Sequence, residues 1–132
     1  MASVSNAQSR GPSFSNAVEL VRVIYDFAID GGATGDLTLL TSVGATVVKL
    51  KYMRVVTAVT SGGSLTLDLG KTSGDEFFAD IAVANLTLDS MHLAVATTGV
   101  VELTDGEVVA MGIIAAAATA GKMEFVFEVI KK

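Results

Sequence analysis

The chain has 132 residues, 51% of them hydrophobic and 17% charged, with a formal net charge of −5 and no Cys. That length admits one folded domain with a real core. Acidity without clustered Lys and Arg argues against binding a phosphate backbone, and the lack of Cys excludes disulfides and thiolate metal sites.

The charged share lies below the roughly 25% of an ordinary soluble domain, which implies either an unusually apolar surface or, the reading favoured by how exposed apolar patches are used, a surface partly covered by a partner. Residues 1–17 are rich in Ser, Asn, Gly and Ala and hold the single proline, Pro12. They carry no apolar core of a secretory signal. They read either as a disordered terminus or as an arm that orders on a partner, with Arg10, Pro12 and Phe14 as its contacts. The longest apolar run, residues 108–118, falls well short of the roughly 20 residues that span a bilayer. No membrane association is expected, and the chain is expected to be soluble and intracellular when made.

Residues 18–132 are expected to form the folded domain. Val21, Val23, Tyr25, Phe27 and Ile29 fall at period two and predict a first strand, followed by a Gly-rich loop over residues 30–36. Leu37, Leu39 and Thr41 predict a short second strand. The long β-branched run from Val47 to Val59 predicts a third, with Val48, Leu50 and Tyr52 on one face and Lys49 and Lys51 on the other. Polarity crosses over at Met53 and Arg54, which predicts a β-bulge there that turns one half of the strand toward a neighbouring subunit. Met53 and Arg54 are therefore further candidate partner contacts.

Ser61-Gly62-Gly63-Ser64 follows, and then Leu65, Leu67 and Leu69 alternate with Thr66 and Asp68. This reads as the central hairpin of the domain, over residues 47–69. Residues 75–81 read as a helical turn or an irregular crossover, with Phe77 and Phe78 plugging the end of the core. Short strands are expected at residues 92–96 and 100–103. The Asp105-Gly106 turn is expected to close a tight hairpin with residues 108–114. After a small-residue stretch at 115–121, the last strand places Met123, Phe125, Phe127 and Val129 on one face. The spacing of about eight strands, without an amphipathic helix, predicts an all-β antiparallel β-sandwich of jelly-roll type.

Chemistry is sparse. Gly70-Lys71-Thr72 matches the tail of a phosphate-binding loop, but the glycine required five residues earlier is Leu65. His92 is the only histidine and reads as a rim or subunit-contact residue, since one His without Cys cannot build a zinc site. Asp30 and Asp36 bound a loop that lacks the repeated ligands of a calcium site. Asp75 and Glu76 are adjacent and would point to opposite faces of a strand. No catalytic, cofactor or metal residues are expected, and the chain is read as a non-enzyme.

Tyr25-Asp26-Phe27-Ala28-Ile29-Asp30-Gly31-Gly32-Ala33-Thr34-Gly35, then residues 55–64 and Leu67-Asp68-Leu69-Gly70, and finally Ala118-Thr119-Ala120-Gly121-Lys122 leading into a strand, resemble small structural proteins of tailed bacteriophage particles. The resemblance covers residues 20–132 and carries no catalytic motif. It implies a capsid decoration (cement) protein: a jelly-roll homotrimer, made in the host cytoplasm, that binds the major capsid protein lattice at the virion surface through an N-terminal segment. A head fibre, tail or adaptor protein is the alternative within the particle. A ligand-binding or carbohydrate-binding jelly roll is the alternative outside it.

Overall fold

A computed structural model describes residues 18–72, 74–94 and 100–132. The elements are β1 (Val18–Asp26), α1 (Phe27–Asp30), β2 (Gly35–Thr41), β3 (Thr46–Ser61), β4 (Thr66–Lys71) and β5 (Phe78–Ala82). A single 3-10 turn (Val83–Asn85) follows, then β6 (Met91–His92), β7 (Val100–Leu103), β8 (Val108–Ile114) and β9 (Ala118–Lys131).

The strands form two antiparallel sheets. One has the order β1-β9-β3, with β6 and β7 both on the far edge of β3; the other has the order β2-β8-β4-β5. The first strand thus pairs with the last, the second with the next to last, the third with the β6–β7 stretch and the fourth with the fifth. This nesting is a chain doubled back on itself and rolled into a sandwich, which is the jelly roll.

Between the sheets lies one core. Val48, Leu50, Met53 and Val55 of β3 and Met123, Phe125 and Phe127 of β9 face Leu67 and Leu69 of β4 and Val109, Met111 and Ile113 of β8. The alternation predicted for β9 and for residues 65–69 is the alternation observed. Phe77 and Phe78 are fully buried, and the Phe77 ring lies 6.0 Å from that of Phe127, so they plug the core as expected.

The hairpins are where sequence and structure part. Residues 47–69 are not a hairpin, because β3 and β4 belong to different sheets. A two-residue hairpin turn needs positive φ at its glycines, and neither Gly62 nor Gly63 has it. The segment is instead a corner between sheets. The Asp105-Gly106 turn is also a corner. Only Gly106 takes positive φ there, and β7 and β8 lie in opposite sheets. Among the described strands, the consecutive pair that does bond to each other in one sheet is β4 with β5, where a helical turn or crossover was expected.

Three boundaries also move. β1 stops at Asp26, whose side chain accepts from the Ala28 amide and starts α1, leaving Ile29 82% exposed rather than in a strand. β9 begins at Ala118, inside the stretch expected to be loose. The strand expected at residues 92–96 is the two-residue β6, and residues 95–96 fall outside the described segments.

The bulge in β3 is present. Tyr52 pairs with Val126 and Leu50 with Phe127, so Lys51 is the extra residue; a second register shift leaves Val56 extra. The first bulge reverses the phase, so Val48 and Leu50 before it and Met53 and Val55 after it all face the core. Both halves of the strand therefore contribute to the core, and the bulge does not turn one half away from it. Met53 has 0% exposure. It is a core residue, and its side chain is not at the surface to meet a partner.

Candidate assembly surface

The outer face of the five-stranded sheet is built by the residues that alternate with the core. On β1 these are Val18, Leu20, Arg22 and Ile24, because Val23 and Tyr25 point inward. The register sets them beside Ile130, Glu128, Val126 and Glu124 of β9, and these in turn beside Val47, Lys49, Tyr52 and Arg54 of β3. On the far edge of β3, Val100 lies opposite Lys49 and Met91 opposite Arg54.

Ten large apolar side chains are exposed among the described residues. Val18, Leu20, Ile24, Met91 and Val100 lie on this sheet, and Leu88 and Leu93 lie on the stretch flanking β6. That stretch is tied to the edge of β3 by the Asp89 amide donating to the Val55 carbonyl at 2.8 Å and the Val55 amide donating to the Ser90 carbonyl at 3.0 Å. The outer face of the four-stranded sheet contributes Ile114.

Most charges on the same face are paired within it. The Glu124 carboxylate, 8% exposed, receives Arg22 on one oxygen and Arg54 on the other at 3.4 Å, and Arg54 also reaches Asp89 at 3.3 Å. The Arg22 guanidinium, ahead of Arg54, holds the Glu124 carboxyl below the usual carboxylate range against the opposing effect of desolvation. Lys51 pairs with Glu128 at 3.5 Å, Lys122 with Asp26 at 3.5 Å, and Lys132 with Glu102 at 2.6 Å. The Lys132 hydrogen bond lowers the Glu102 carboxyl as well.

The remaining sequence candidates are scattered. Arg10, Pro12 and Phe14 lie outside the described residues. Arg54 sits on the outer face, where its partners are Glu124 and Asp89. His92 Nε2 lies 3.1 Å from the Asn85 carbonyl and 3.3 Å from Ser90 Oγ, a local contact at the rim. Lys71 is the end of a strand, and its ammonium pairs with Glu107 at 3.2 Å, so the fragment around it is no phosphate loop. Among the described residues no three His, Cys, Asp or Glu side chains converge as a metal site would require, and no helix is long and apolar enough to cross a membrane.

What the sequence missed is the Arg22–Glu124–Arg54 cluster. Its members are 32 to 102 positions apart in pairs, and only the antiparallel register of β1, β9 and β3 unites them. A Glu between Met123 and Phe125, in the stretch of β9 that supplies the core, was the one available signal.

No protein-family model matches the chain, and no curated protein sequence does. Solved structures do. A chain of the capsid asymmetric unit of cyanophage Pam1 superposes with a TM-score of 0.65 at 19% identity, over 97% of this chain and 94% of that one. A chain of the capsid of Ralstonia phage GP4 gives 0.64 at 17% identity, over 96% and 92%. A chain of the acid-stable capsid of Helicobacter pylori bacteriophage KHP30 gives 0.59 at 18% identity, over 86% of each. At these identities the likeness is one of fold, and the fold this chain shares, nearly end to end, is that of chains found in phage capsids.

Proposed function

We propose that this chain is a capsid decoration protein, a non-catalytic part that binds the major capsid protein lattice of a phage as an oligomer, a trimer in its simplest form, and stabilises the shell from outside. The observation that carries the reading is the gathering of exposed apolar side chains onto one sheet face of a jelly roll, in a chain whose fold recurs in three phage capsids. Apolar surface concentrated in this way marks a contact surface rather than a site of chemistry. Many copies on an icosahedral shell convert modest single contacts into strong retention. In this reading Arg10, Pro12 and Phe14 reach the shell, and Arg54 orders the face from which the oligomer is built.

The test is reconstitution. Capsids lacking the chain are mixed with purified protein, sedimented and heated. The chain is expected to pellet with the capsids and to raise the temperature at which they release their contents, and removal of residues 1–17 is expected to weaken pelleting. Capsids that are equally robust with and without it would rule out cementing, and immunolabel confined to the tail would move the protein to another part of the particle.

A further inference from the structure

We infer that the outer face of the five-stranded sheet is the surface through which copies of this chain bind one another, rather than the surface that meets the shell. The inference deepens the oligomer in the reading above and rests on it.

Charge selects the occupant. The chain carries a net charge of −5, so two copies repel over most of their surface. The strands of the four-stranded sheet carry Asp36, Asp68 and Asp80 against the single cation Lys71. The strands of the five-stranded sheet carry six Lys and Arg and five Asp and Glu. This is the sheet on which like-charge repulsion between copies is weakest. Most of its ions are also matched to each other: Arg22 and Arg54 to Glu124, Lys51 to Glu128, Lys122 to Asp26. A partner with a strong charge of either sign gains little from such a face. A second face of the same kind, neutral and apolar between paired ions, loses least on desolvation, because buried charges are tolerated when they are already paired.

The extent is sufficient. A nine-residue strand rises about 30 Å and four strand positions span about 20 Å, giving roughly 600 Å² of face. That approaches the roughly 800 Å² that each partner contributes to a standard stable interface. The exposed Leu20 and Val100 sit toward its two edges, with Arg22 on the same edge strand as Leu20 and Tyr52 on β3 between the edges, and Tyr and Arg are residue types that carry most interface energy.

The experiment measures the mass of the full chain by light scattering and sedimentation, for wild type, Leu20→Glu, Val100→Glu and the control Ile114→Glu on the opposite face. Leu20 and Val100 are 64% and 46% exposed, so a folded monomer is expected from either change, checked by circular dichroism and thermal unfolding. Wild type and Ile114→Glu are expected to run as the oligomer. Leu20→Glu and Val100→Glu are expected to associate at least about tenfold more weakly, the effect of losing one interface anchor. A monomeric wild type overturns the inference. So do face variants that keep the wild-type mass, and so does dissociation by Ile114→Glu as well. Capsid pelleting is read separately. An oligomer that ignores capsids defeats the decoration reading and leaves this interface standing, whereas face variants that stay oligomeric yet lose capsids assign the face to the shell and overturn it.

Discussion

At the scale of single residues, Glu124 is the most consequential polar group. It is held nearly out of solvent by two arginines in the middle of an outward face. Its lowered pKa fixes the sign of a pH effect. A carboxyl whose folded value is depressed contributes stability that is full above the ordinary Glu range and is lost as pH falls through the folded value. Glu124→Gln is expected to cost about 1–2 kcal/mol at neutral pH in urea unfolding. The gap between the two proteins should close as the pH is taken well below about 4. A gap unchanged in acid would show that packing, not charge, sets the cost. Tyr25 gives the opposite sign. Burial first, then Asp30 and Asp26, raise its phenol, whose hydroxyl donates to the Gly31 carbonyl at 2.7 Å. Its contribution is present below pH 10 and fades as pH rises through the raised value. Tyr25→Phe is expected to cost about 1 kcal/mol by the same assay. Neither role is written locally. Tyr25 announces itself only as an inward residue of an alternating strand, and the Arg partners of Glu124 are set by register.

At the scale of elements, the bulge at Lys51 is the feature on which β3 depends. Deleting Lys51 would slide one half of the strand by a residue, turning either Val48 and Leu50 or Met53 and Val55 away from the core. The deletion is expected to abolish cooperative thermal unfolding, while Lys51→Ala, which keeps the residue count and loses only a half-exposed ion pair, should stay within about 0.5 kcal/mol of wild type. A second element-level test is Gly32, where an added Cβ would come within 2.3 Å of the Ala118 carbonyl oxygen. Gly32→Ala is expected to destabilise by about 1–3 kcal/mol in the same measurement, since backbone must shift to admit it. The elements also show how far sequence reaches. Alternation at residues 65–69 and 123–129 named the inward side chains correctly, and the polarity crossover revealed the bulge, because period and burial are local. Strand pairing is not local. Ser61-Gly62-Gly63-Ser64 and Asp105-Gly106 signal that the chain changes direction, but the same residues serve a corner between sheets as well as a hairpin within one. What separates the two is φ, which composition alone does not determine.

At the scale of the whole molecule, the two sheets divide the labour of the surface: one outer face is acidic and almost free of large exposed apolar groups, the other neutral and apolar. The low charged fraction implied a covered surface but could not say which, since inner and outer faces differ only once strands are assigned to sheets. The nested pairing also governs folding. Most contacts join residues distant in sequence, so refolding from urea is expected on the millisecond-to-second scale or slower, measured by stopped-flow fluorescence of Tyr25 and Tyr52. A microsecond phase carrying the full amplitude would contradict it.

The pairing of first strand with last has one more consequence. β9 lies between β1 and β3, and it follows both of them in the chain. A nascent chain still lacking it has no neighbour for β1 and an open edge on β3, so the sheet face described above does not exist until β9 has emerged and paired. A partner that reads that face therefore has nothing to recognise on a chain that has not yet made β9. A chain cut short before β9 should lack that face and present the unpaired edges of β1 and β3 in its place.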